Sequence, residues 1–197
     1  MINDIIVVDD VISKSYQDLL ENFIVHNREF PWFFTPAVTG SKMFNDDKLN
    51  KKDTPGWCHK FFDNELRGPT SAIADMLIPI VHEACGKIGF YPKALLQGRV
   101  FSLMPKLIKG QNIWHVDTMQ PHLVCIYYVS DATGPTIISS ETADTHQRQF
   151  IDRDVDLKVA KTVEPKKGRA VLFDGKFYHT STNPDDDRRV IINFDVI

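Results

Sequence analysis

Three residues of the sequence have the types and the spacing of a metal site. His115 and Asp117 are separated by one residue at the end of a β-rich run, so their side chains project from the same face of a strand. His179 follows a buried strand predicted through Val171 and Phe173, and the intervening chain is long enough to bring it beside the pair. Two histidines and one carboxylate on one side of a metal leave coordination positions open for other ligands. The alternative for His115 and Asp117 is a hydrogen-bonded pair at a strand end.

Arg189 opens a β-rich run whose two faces differ in polarity. Alternation places Arg189, Ile191, Asn193 and Asp195 on one face, which is mixed in polarity. The other face is mainly apolar and consists of Arg188, Val190, Ile192 and Phe194. We expect the apolar face to pack under helices and the mixed face to line a ligand-holding barrel. A buried guanidinium needs an anion, and its planar fork matches a carboxylate. The alternative is a surface charge that balances Asp185 to Asp187.

The elements that must position these residues change character along the chain. A strand is predicted at 5–8, a helix over 13–27, and a second helix over 70–88 that Pro79 should kink or restart. Short β-rich runs with turn residues between them follow, at 95–104, 112–117, 123–129, 136–139, 157–163, 170–173 and 189–196. We expect one domain over 1–197, with the strand and helices in 1–94 and the β core in 95–197.

The stretch from Ala37 to Gly68 is polar and aperiodic, yet it carries Trp57, Phe61 and Phe62 close together. A long irregular segment inside a small domain is often functional. We expect an ordered loop that closes over the site as a lid. A surface loop whose aromatic side chains dock on the helices is the alternative.

Composition excludes several classes of protein. The 197 residues include 23 basic and 26 acidic ones, which argues against general nucleic-acid binding. Three widely spaced cysteines form no disulfide framework and no cysteine zinc site. The longest apolar run has seven residues, whereas a membrane span needs about 20, and the start lacks a secretory signal. We expect a soluble cytoplasmic protein without a membrane partner, and the oligomeric state is left open.

Three stretches together resemble the prolyl 4-hydroxylase-like branch of the 2-oxoglutarate- and Fe(II)-dependent oxygenases. They are HVD at 115–117, CIYYV at 125–129, and PKKGRAVLFDGKFYHTSTNP with RRVIINF within 165–194. The resemblance covers residues 97–196. It implies a mainly β fold with flanking helices, a double-stranded β-helix, which is a distorted, cupin-like jelly roll. One departure is Met104 in FSLMP, where these relatives commonly have tyrosine, so this part of the pocket must be built differently.

The resemblance also implies roles for single residues. His115, Asp117 and His179 would hold Fe(II) as the catalytic centre, with His122 as a reserve ligand. Arg189 would bind the distal carboxylate of 2-oxoglutarate, and Tyr128 would contact the same carboxylate unless it is a core tyrosine. Candidates for lining the pocket, each with core packing as the alternative, are Asn193, Ile191 and Trp114.

The implied reaction uses dioxygen and 2-oxoglutarate to hydroxylate a substrate C–H bond, with release of succinate and CO2 and with ascorbate as a candidate reductant. The substrate would be a small molecule or a peptide. The sequence does not distinguish between four substrate classes: a prolyl residue, a free amino acid, another protein side chain and a nucleobase. Two other functions are a cupin-like metal protein without 2-oxoglutarate and a non-catalytic jelly-roll binding module. Arg189 with Tyr128 favours the oxygenase, because the pair has no role unless a dicarboxylate binds.

Overall fold

The computed structural model describes residues 2, 4–40, 53–66, 68–105 and 110–197. Helix α1 (Lys14–Glu21) continues into a π-helical turn (Asn22–His26), and it is followed by α2 (Ala74–Lys87) and the short α3 (Ala143–His146). The strands are β1 (Ile6–Val8), β2 (Phe33–Thr35), β3 (Gly56–Asp63), β4 (Gly68–Pro69), β5 (Leu95–Leu103), β6 (Trp114–His115), β7 (Leu123–Tyr128), β8 (Thr136–Thr142), β9 (Phe150–Ile151), β10 (Val159–Val163), β11 (Ala170–Asp174), β12 (Phe177–Ser181) and β13 (Arg189–Val196).

The strands form two antiparallel sheets. The large sheet has the order β1-β11-β7-β13-β5-β3-β2, with β4 paired to β3, and the small sheet has the order β10-β8-β12-β6-β9. Their inner faces meet in an apolar cluster that joins Tyr128 and Val171 of the large sheet to Ile138 and Val163 of the small one. Most neighbouring strands, such as β13 with β5 and β12 with β6, are far apart in sequence, so the chain crosses between the sheets repeatedly, as in a double-stranded β-helix.

Both long helices pack on the outer face of the large sheet. The main core joins Leu20 of α1 and Leu77 of α2 to Val190, Ile192 and Phe194 of β13. This packing confirms the predicted apolar face of the last strand. α2 is continuous through Pro79, so the predicted restart is wrong, and residues on both sides of the proline are buried; a kink at Pro79 stays a prediction. No helix in the described part of the chain has the length and apolar character needed to cross a membrane.

The predicted lid segment contains a strand that the sequence did not indicate. β3 lies within the large sheet beside β5, so the aperiodic interpretation is wrong for 56–63. Phe61 is fully buried against Phe194, while Trp57 is partly exposed. The strand was missed because His59 and Asp63 are buried polar residues, which hide its alternation. Residues 41–52 and 67 lie outside the described residues, and closure of that segment stays a prediction.

Candidate metal centre and pocket

The three predicted ligands come together where the small sheet faces the large one. His115 of β6 and His179 of β12 are direct cross-strand partners, and their ring centroids lie 4.3 Å apart. Asp117 follows β6, and its Oδ2 lies 3.5 Å from Nε2 of His179. One ligand atom from each residue lies within 4.8 Å of the other two, so a single metal ion could reach all three.

Both imidazoles are oriented by their own strands. Nδ1 of His115 lies 3.2 Å from the carbonyl oxygen of Ile113, and Nδ1 of His179 lies 3.4 Å from that of Phe177. With the proton on Nδ1, each ring donates to a backbone carbonyl and leaves Nε2 free as a metal ligand. The sequence placed His179 just beyond a strand, but it lies at the centre of β12, which follows β11 after a short turn.

Burial sets the protonation of this group. It lowers the pKa of His179 to about 3, with a further contribution from His115. Burial alone would raise the pKa of Asp117, but the neighbouring His179 and His115 outweigh it and hold that pKa below its ordinary value. At neutral pH the group therefore offers a neutral imidazole and a carboxylate, the protonation states that metal binding requires.

The triad opens into a pocket between the two sheets, with about 600 Å³ of empty volume that is partly open to solvent. The large sheet contributes two sets of alternate residues, Arg99, Phe101 and Leu103 from β5 and Arg189, Ile191 and Asn193 from β13. The small sheet and the loops contribute Thr136, Thr180, Ser181, Asn112, Val38 and Thr39. Ile191 and Asn193 therefore lie on the pocket side, as alternation predicted.

Arg189 is a buried cation inside this pocket. Only 2% of its surface is exposed, so it is not a surface charge that balances Asp185 to Asp187. Its Nη2 donates to Oγ1 of Thr136 at 2.6 Å, while its buried Nε has no partner. Among the described residues, none forms a salt bridge with this guanidinium. Because an isolated buried charge is costly, the geometry calls for an anionic ligand.

Tyr128 supports Arg189 from outside the pocket lining. Its ring lies beside the guanidinium, with 5.6 Å from the centroid to Cζ, and its hydroxyl donates to Oγ1 of Thr136 at 2.7 Å. Thr136 thus accepts from both residues, and its own proton is left to donate. No sequence pattern indicates Thr136, because the threonine belongs to no motif and reaches the site only through the pairing of β8 with β12.

Trp114 is a correction, because it does not line the pocket around the triad. It precedes His115 on the strand, so its side chain faces the other way and is buried with Val116 and Tyr178. Met104 also faces away from the pocket and is partly exposed. Leu103, the residue before it, takes the pocket position opposite Arg189.

His122 belongs to a second group on the buried side of Asp117. The ligand atoms of His122, Asp117 and Asp195 are close enough together to bind one metal ion. His122 does not belong to the group that Asp117 forms with His115 and His179. His122 and Asp195 are both 1% exposed, and their nearest atoms are 3.9 Å apart. Gly175 lies so close that a Cβ there would come within 2.2 Å of the His122 ring. This group is closed, whereas the first triad faces the open pocket.

Comparison with known proteins connects this architecture to solved structures. No protein-family model matches the sequence, and no curated protein matches it significantly. An oxidoreductase of the 2OG-Fe(II) oxygenase family from Burkholderia pseudomallei superposes with a TM-score of 0.63 at 8% identity, over 98% of this chain and 84% of that one. A non-haem α-ketoglutarate-dependent carbocyclase of nogalamycin biosynthesis gives a TM-score of 0.62 at 10% identity, over 98% and 78%.

A prolyl-4-hydroxylase from Pseudomonas putida gives a TM-score of 0.58 at 10% identity, over 98% of this chain and 91% of that one. At such low identity the likeness shows the fold. The predicted fold class, a double-stranded β-helix with flanking helices, is confirmed.

Proposed function

We propose that the protein is a non-haem Fe(II)- and 2-oxoglutarate-dependent dioxygenase that hydroxylates a C–H bond of its substrate. One observation carries the proposal: the His115–Asp117–His179 triad and the buried Arg189, which has no anionic partner among the described residues, line the same pocket. A metal-chelating dicarboxylate is the ligand that satisfies both at once. The activities named for the similar solved structures support this choice.

The residues present fit an Fe(II) ion. Two imidazoles and one carboxylate on one side of a metal are the ligand set of Fe(II) oxygenases, and the open side faces the pocket. Oδ2 of Asp117 is buried without a hydrogen-bond partner, so a cation would complete its surroundings. When bound, iron with 2-oxoglutarate and dioxygen would supply oxidative decarboxylation to succinate and CO2 and transfer of an oxygen atom to the substrate. 2-Oxoglutarate would supply the electrons, and ascorbate would serve only to keep the iron in the Fe(II) state.

The pocket residues would bind and orient the co-substrate. Arg189 holds the carboxylate remote from the metal through Nε and Nη2, and Tyr128 fixes the guanidinium from beneath. The Thr136 hydroxyl donates its remaining proton to the same carboxylate. Phe101 and Ile191, which are cross-strand partners, form an apolar wall for the methylene groups and exclude water.

Two observations argue against the other functions. A cupin-like metal protein without 2-oxoglutarate would leave the Arg189 guanidinium buried without a counter-charge, which is a costly arrangement without a purpose. A binding module without a metal would have no need to bring two histidines and an aspartate to one open pocket.

Anaerobic titration tests the proposal directly. Fe(II) and then 2-oxoglutarate are added to the protein while visible charge-transfer absorption is recorded, and succinate is measured after air is admitted. We expect one Fe(II) per chain, an absorption band that needs both additions, and succinate formation. Iron binding without the band would favour the cupin-like protein, and no iron binding would favour the binding module.

A further inference from the structure

We propose that Arg99 is a second anion-binding residue of the pocket and that it receives the carboxylate of the substrate. The substrate class is then a small carboxylic acid with a hydrogen-bond donor beside the carboxylate, as in a free α-amino acid. This inference rests on the proposed oxygenase function and names the substrate class of the same site.

Arg99 and Arg189 occupy different ends of one pocket wall. In the pairing of β5 with β13, Arg99 lies opposite Asn193, and Leu103 lies opposite Arg189. Four residues along a strand correspond to about 13 Å between the two positions. Both arginines line the pocket, so two guanidinium groups approach it from separate places.

Arg99 has no hydrogen-bond or salt-bridge partner among the described residues, although its Nε is shut off from solvent. Asp117 and Asp195 feel its charge, but neither forms a salt bridge with Arg99. Asp117 lies 3.5 Å from His179, and Asp195 interacts with Asp117 and lies 3.9 Å from His122. A partly buried guanidinium without a partner, directed at a pocket, indicates an anionic ligand.

2-Oxoglutarate does not account for this second cation. Under the proposed function, one of its carboxylates belongs at the metal and the other at Arg189. Arg99 is then the cation that remains without an anion. The third anionic group must come from the substrate.

Two amide side chains support an amino acid rather than a simple acid. Oδ1 of Asn193, the cross-strand partner of Arg99, is buried without a donor, and so is Oδ1 of Asn112. Both residues line the pocket and present acceptors to a donor on the ligand. The pocket lies between the two sheets and must also hold 2-oxoglutarate, which favours a small substrate over a folded protein surface.

The test measures succinate formation by the Fe(II) enzyme with the standard L-amino acids, their amides, prolyl peptides and nucleosides. We expect one or more free acids to stimulate turnover, with kcat/KM at least about 30-fold lower for the matching amide. Equal stimulation by acid and amide would overturn the inference. Stimulation by none of the acids would overturn it as well.

Variants of Arg99 separate a substrate site from a co-substrate site. Arg99→Gln should raise the KM of the stimulating acid at least about 30-fold, and Arg99→Lys should restore part of the loss. The dissociation constant of 2-oxoglutarate, read from the charge-transfer absorption, should stay within about twofold. Arg188→Gln is the control, since Arg188 lines a separate, outer groove.

Equal weakening of 2-oxoglutarate and of the acid in Arg99→Gln would assign Arg99 to the co-substrate site instead. Loss of iron binding in that variant would make Arg99 a counter-charge for Asp117, which also overturns the inference. Failure of the proposed function is distinguishable, because the wild-type protein would then show neither the absorption band nor succinate.

Discussion

Replacing Arg189 by alanine should remove most of the affinity for 2-oxoglutarate. Nη2 of Arg189 donates one hydrogen to Thr136 and carries a second, which forms a fork with the unpartnered Nε. A charge-assisted, two-point contact with a carboxylate contributes about 2–4 kcal/mol, so the dissociation constant should rise roughly 30-fold to 1000-fold. The charge-transfer absorption of the iron complex measures this constant directly.

The same substitution should not destabilise the ligand-free protein in proportion. Arg189 is buried without a carboxylate partner, so its removal takes away a desolvated charge as well as a hydrogen bond. Metal-loaded wild-type protein should gain about 2.7 kcal/mol of unfolding free energy when 2-oxoglutarate is at 100 times its dissociation constant. Arg189→Ala should gain only about 0.1–0.9 kcal/mol at that concentration.

Arg188→Ala is the matched control, since Arg188 precedes Arg189 and lines a different, outer groove with Met104 and Pro105. We expect this variant to bind 2-oxoglutarate like the wild type. Equal weakening by the two substitutions would show that the co-substrate responds to general positive charge. That result would refute the proposed two-point contact of Nε and Nη2 of Arg189 with the carboxylate.

Three further predictions concern the same pocket. Replacing any one of His115, Asp117 and His179 by alanine should abolish Fe(II) binding and substrate-coupled succinate formation, and full activity in one variant would remove that residue from the ligand set. Thr136→Val should weaken 2-oxoglutarate binding by about fivefold while Thr136→Ser changes it little, because one hydrogen bond contributes about 1 kcal/mol. Equal effects of the two substitutions would exclude a role for the hydroxyl. Burial lowers the pKa of His179 from 6.5 to about 3, so between these pH values the unfolded state binds a proton that the folded state does not. The free energy of unfolding of the metal-free protein should therefore fall as the pH drops from about 6.5 towards 3. Thermal unfolding of His179→Gln should show a weaker pH dependence, and an unchanged pH profile would contradict this prediction.

The sequence predicts a site residue correctly where the alternation of a single strand is enough to place it. His115 with Asp117, and Arg189 with Ile191 and Asn193, follow from alternation within single runs, and the structure places each of them on the pocket side. Trp114 was misplaced because it was grouped with its neighbour His115 rather than assigned by alternation to the opposite face.

Residues that reach the pocket through pairing between distant strands could not be predicted. Arg99 faces the pocket because β5 pairs with β13 in a register that places it opposite Asn193. Thr136 faces it because β8 lies beside β12. Registers between strands so far apart in sequence depend on the packing of the whole sheet, and no local pattern encodes them.

The last strand shows how this fold supports a polar site. β13 lies at the centre of the large sheet, between β7 and β5, and every residue in it is buried. Its outer face adds Val190, Ile192 and Phe194 to the main core, while its inner face presents Arg189 and Asn193 to the pocket. The unpaired groups on the inner face oppose folding, and the apolar face of the same strand offsets them. Ligands that pair those groups should therefore stabilise the folded state, because they bind atoms that folding has already removed from water.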